Sequence, residues 1–138
     1  MPDVLGTEDA GGLARPRIGL AVWWFGLGAT ALVAASLTLI VYREGLPERF
    51  VAIPQLDKAL HFGMAGSLAF FLDGVLRRRA LRIGRRSVPL AAVLLLVPAA
   101  IEEFLQRYSV HRSSSLADFA ADVAGVALFI WLSRRIGG

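Results

Sequence analysis

Apolar residues collect in four long blocks divided by short polar connectors, and this pattern sets the expected elements. Residues 18–42, IGLAVWWFGLGATALVAASLTLIVY, carry no charge over 25 positions, long enough to cross a bilayer with some tilt. Trp23 and Trp24 near one end and Tyr42 at the other suit the two interfaces. A cleaved signal peptide is the alternative, but the block exceeds an ordinary h-region and follows a long tail. The second block, residues 59–76, contains His61 and Asp73. The third is purely apolar from Val88 only to Ile101, and must run on through Glu102, Glu103 and Gln106 toward Tyr108 in order to span. The fourth, residues 116–132, carries Asp118 and Asp122.

Lipid leaves helices and closed barrels as the structures that satisfy their own backbone, and no block alternates as a barrel strand does. The expectation is therefore all-α: a four-transmembrane-helix bundle with helices over about 18–42, 57–76, 87–108 and 116–133. Together these make one transmembrane domain, 18–135, after a tail at 1–17 that reads as cytoplasmic and disordered. Four spans put the N-terminus, the six-arginine loop RRRALRIGRRS and the C-terminus on one side. The arginine excess there predicts N-in and C-in in a plasma or inner membrane.

Composition agrees. The chain is 56% hydrophobic and 19% charged over 138 residues, more apolar than an average soluble domain. Cysteine is absent, which excludes disulfides and thiolate metal sites. The net charge of +4 comes from arginines flanking the apolar blocks. Basic residues so placed suit anionic headgroups. Nucleic acid is not an expected partner, because the aromatics lie inside the apolar blocks instead of between the arginines.

The same topology gathers polar residues at the outer end. Asp57, Lys58 and His61 begin the second helix, Glu103 and Gln106 end the third, and Asp118 and Asp122 begin the fourth. Spacings of three and four put each set on one helical face, and carboxylates in a span turn away from lipid. Glu102 points about 100° from Glu103 and falls outside this cluster. Asp73, four residues before Arg77, suggests a local ion pair. Gly63, Gly66 and Ser67 on the second helix and Ala117, Ala121 and Gly125 on the fourth read as close-packing positions. Pro98 should kink the third helix.

DKALHF opening a second span, EFLQ ending a third, Arg112, and DFAAD opening a fourth with Gly125 beyond resemble the pattern of the VanZ-like membrane proteins. The matching positions are Asp57, Lys58, His61, Phe62, Glu103, Gln106, Arg112, Asp118, Asp122 and Gly125, over residues 20–133. Asp122 stands where many relatives have asparagine. The resemblance implies a small cell-envelope protein with a role of the teicoplanin-resistance type, and it supplies no reaction.

Three readings of the cluster follow. In the first, His61, Asp57, Glu103 and Asp118 are candidate catalytic groups, with His61 as base or nucleophile oriented by Asp57. Lys58, Gln106, Arg112 and Asp122 would then hold a lipid headgroup or cell-wall-precursor ligand. In the second, Lys58 and Arg112 neutralise the acids and lock the helix ends together. The third is binding or transport without chemistry, where four short spans call for a homo-oligomer and no inverted repeat is present. The oxygen donors and one imidazole would suit Mg²⁺ or Mn²⁺, but no ligand spacing is diagnostic, so neither a metal nor a cofactor is assigned.

Overall fold

The computed structural model describes residues 18–44, 53, 55–106 and 116–137. The tail at 1–17 and Arg112 lie outside the described residues, as do the side chains of Tyr42 and Gln106. Four helices carry the fold: α1 (Leu20–Glu44), α2 (Leu56–Val75), α3 (Leu90–Gln106) and α4 (Leu116–Ile136). The all-α expectation holds, with one addition. Part of the arginine-rich connector is an antiparallel hairpin of β1 (Ala80–Ile83) and β2 (Arg86–Pro89), pairing Ala80 with Pro89 and Ile83 with Arg86. Gly84 supplies the positive φ of 62° at the first turn position, as a two-residue hairpin turn requires. The third helix therefore starts at Leu90, not at 87, and runs on through Pro98.

Two pairs of contacts fix how α2 and α4 lie. His61 meets Asp122 at one end and Asp73 meets Arg134 at the other, each pair 61 residues apart in sequence. The constant offset means that the two helices run parallel and in register over roughly three turns. Between these ends the backbones approach closely. Gly125 is buried, and a Cβ there would run into the Phe62 carbonyl oxygen; Gly66 is buried against the Phe129 ring. Phe62 and Phe129 cross edge to face with centroids 6.0 Å apart. Gly63, by contrast, has open space where its Cβ would be, so it does not mark a close approach.

α1 runs antiparallel to α2. Trp23 lies on Gly74, Gly26 faces Phe71, and Trp23 packs against Phe70 at 5.2 Å between centroids. The core is small: Trp23, Ala69, Ala91, Val126 and Ile130. Large apolar side chains instead cover the outer surface, with Phe25 80%, Leu32 70% and Leu116 67% exposed.

Two helical segments, Leu20–Val41 and Leu116–Ile136, are long and apolar enough to cross a membrane. α2 and α3 do not meet the same measure: α2 carries Asp57, Lys58 and Asp73, and α3 has only 17 residues. The local pairing expected for Asp73 is also corrected. Arg77 has left the helix, with φ 52°, and Asp73, with no exposed surface, takes Arg134 instead. Arg134 donates from Nη2 to Oδ1 at 3.1 Å and from Nε to Oδ2 at 3.3 Å.

Two stability predictions follow from this packing. Gly125→Ala should lower the stability of the protein in detergent by about 1–3 kcal/mol, because a methyl group forces α2 and α4 apart. Gly28→Ala, with open space around it, should be neutral or stabilising by up to about 1 kcal/mol; thermal melts of the two variants give the comparison. Arg134→Met should cost about 3–5 kcal/mol by stranding the Asp73 carboxylate, and adding Asp73→Leu should recover most of that loss in the same melts.

Candidate functional site

The polar end is built where α2 and α4 start and α3 finishes. The α2–α4 register carries Lys58 and His61 to the first turns of α4. Lys58 Nζ lies 3.1 Å from Asp57 Oδ2 and 3.7 Å from Asp118 Oδ1, so one ammonium bridges acids of two helices. His61 Nδ1 lies 3.1 Å from Asp122 Oδ1. An ionised carboxylate can only accept, so Nδ1 carries the proton in that contact; Nε2 is an acceptor in the neutral ring and a second donor in the imidazolium.

The imidazole is thus oriented by Asp122 from the facing helix, where spacing alone pointed to Asp57. Asp57 is occupied by the neighbouring Lys58. The Asp118 side chain is 23% exposed and that of Asp122 16%, against 48% for His61, so the imidazole is the most accessible part of its pair. Glu103 Oε1 and Asp118 Oδ1 are buried, and neither has a hydrogen-bond partner among the described residues.

A cavity of about 440 Å³ opens beside this cluster, with lining from all four helices. Its titratable residues, Asp57, His61, Glu102 and Asp122, all belong to the same end of the bundle. Leu68, Leu95, Leu96 and Val126 form an apolar remainder that leads toward the core. Glu102, which the sequence reading set outside the cluster, lines this cavity on the helical stripe Leu95, Ala99, Glu102, whereas Glu103 is not among its lining residues. Among the described residues no group of three or more histidine, aspartate and glutamate side chains is arranged to hold a metal ion.

The arrangement can do two things chemically. The His61–Asp122 pair presents a hydrogen-bonding imidazole at the mouth of an apolar chamber. The bridging Lys58 ties the starts of α2 and α4 together while leaving acids exposed at the rim. Comparison with protein-family models, with curated proteins and with solved structures found no match.

A double-mutant cycle distinguishes the pairing seen here from the one that spacing suggests. His61→Ala and Asp122→Ala should couple by on the order of 1 kcal/mol in unfolding free energy. The cycle of His61→Ala with Asp57→Ala should show a much smaller coupling.

Proposed function

We infer that the protein is a four-span, VanZ-like membrane protein of the cell envelope that binds an amphiphilic lipid or cell-wall-precursor ligand at its polar end. The observation that carries this reading is the cavity: an apolar chamber with His61, Asp57, Glu102 and Asp122 at one end. Such a division matches a ligand with a hydrocarbon tail and a polar head, held by a few placed polar groups on a largely apolar wall.

Burial supports the membrane part of the reading. The surface is rich in exposed large apolar side chains while Asp73 and Ser133 are buried, the inverse of the usual soluble pattern. The Arg134 contact eases the placing of α2 as a span, since its buried acid, in the last turn, is paired. α3 covers about 25 Å at 1.5 Å per residue, and the hairpin before it and the polar rim after it occupy the interfaces. The arginine-rich end faces the cytoplasm under the positive-inside rule. The cluster then faces the envelope exterior, where a cell-wall precursor or an outer-leaflet lipid would reach it.

In this reading His61 and Lys58 contact the head of the ligand, and Asp122 orients the imidazole. No reaction is assigned to them. The Lys58 bridge between Asp57 and Asp118 favours a second reading, in which the cluster is an ion-pair knot that holds the helix ends. His61→Ala, Glu103→Gln and Asp118→Asn separate the two. Under the binding reading, His61→Ala loses only the roughly 1 kcal/mol of its Asp122 pair and Glu103→Gln melts near the parent, while retention of a labelled polyprenyl phosphate or phospholipid by His61→Ala falls about tenfold. Under the knot reading all three variants melt early, and retention, corrected for folded protein, is unchanged.

A further inference from the structure

The opposite end of the bundle holds a second cavity, of about 350 Å³, between the start of α1 and the last turn of α2. Leu20, Trp23, Gly74, Arg77, Arg78 and Gly137 line it. α2 ends here with two successive arginines in the left-handed region, at φ 52° and 59°, a conformation uncommon for residues with a Cβ. The Arg78 N–H donates to the Asp73 carbonyl at 2.8 Å and the Arg77 N–H to the Gly74 carbonyl at 3.0 Å. This turn sends both side chains to the notch instead of along the helix.

Among the described residues, charge at this corner is unbalanced. Arg78 Nε is buried and has no hydrogen-bond partner among the described residues. The nearby acid, Asp73, is committed to Arg134. From Gly74 to Ile101 the sequence contains no aspartate or glutamate. Leu20, 42% exposed, gives the notch an apolar rim. The hairpin that continues from Arg79 turns Leu81, Ile83 and Val88 to one face, with Leu81 42% and Ile83 61% exposed, as suits an element lying in a headgroup layer.

We propose that the Arg77–Arg78 notch is a binding site for the phosphodiester headgroup of an anionic lipid in the arginine-side leaflet. Guanidinium groups match phosphate oxygens in pairs, and Arg78 Nε supplies a donor that otherwise goes unused. The acyl chains run along the exposed apolar surface at Leu20. The proposal rests on the membrane reading above but is independent of any ligand at the His61 end.

The test uses the full chain in nanodiscs of phosphatidylcholine alone or mixed with phosphatidylglycerol, and native mass spectrometry to read the lipid that stays bound. Phosphatidylglycerol should be retained in preference to phosphatidylcholine, and Arg78→Gly and Arg77→Gly should each reduce that preference about tenfold. Glycine tolerates the positive φ at both positions, so these variants remove the guanidinium without straining the turn. Arg85→Gln, at the tip of the hairpin, should leave the preference intact. Three results would overturn the site: equal retention of the two lipids, an equal fall in Arg85→Gln, which means diffuse surface charge, or displacement of the lipid by millimolar inorganic phosphate, which means a soluble-anion site. Carbonate extraction of the unsubstituted protein keeps the two levels apart. A chain released as peripheral defeats the membrane reading and this site with it, whereas a chain that stays embedded without lipid preference defeats the site alone.

Discussion

Everything in this molecule depends on the parallel, in-register contact of α2 with α4. Gly66 and Gly125 let the two backbones close up, and polar pairs at each end, His61–Asp122 and Asp73–Arg134, stand at the same sequence offset. Small residues at a helix interface with polar pairs beside them are what association in lipid favours, because burial of apolar surface adds little there. α1 and α3 then pack around this pair, α1 through Trp23 on Gly74 and α3 through Ala91 beside Ala69 and Val126. The two ends of the pair acquire different chemistry: acids and an imidazole at one, arginines and an indole at the other.

Legibility in the sequence follows from how local each signal is. The helices were visible because long apolar blocks with charge mostly at their margins show no strand-like alternation. The grouping of Lys58, His61, Asp118 and Asp122 was also legible, since it needs only the direction of each helix. The partner of the imidazole was not, because choosing Asp122 over Asp57 requires the α2–α4 register, and nothing in either segment alone encodes it. Asp73 shows the same limit. Its spacing from Arg77 is ideal for a helical pair, but the helix ends before Arg77, which adopts a left-handed φ of 52°.

The hairpin was hidden by its arginines. Its alternation, Leu81 and Ile83 against Ala80 and Arg82, is only four residues long in each strand, and Gly84 is the sole turn signal. A basic run of this kind reads first as a solvated connector. The cavity-facing position of Glu102 was hidden for another reason: pairing Glu103 with Gln106 uses one turn of helix, whereas the stripe from Leu95 through Ala99 to Glu102 uses two.

The ion pair between α2 and α4 also has a consequence for biogenesis. Asp73 is synthesised 61 residues ahead of Arg134, so its carboxylate has no partner on α4 until that helix has been made. The contact that organises the fold is therefore out of reach while α1, α2 and α3 are being made, and those helices can take their final places only after α4 has joined α2.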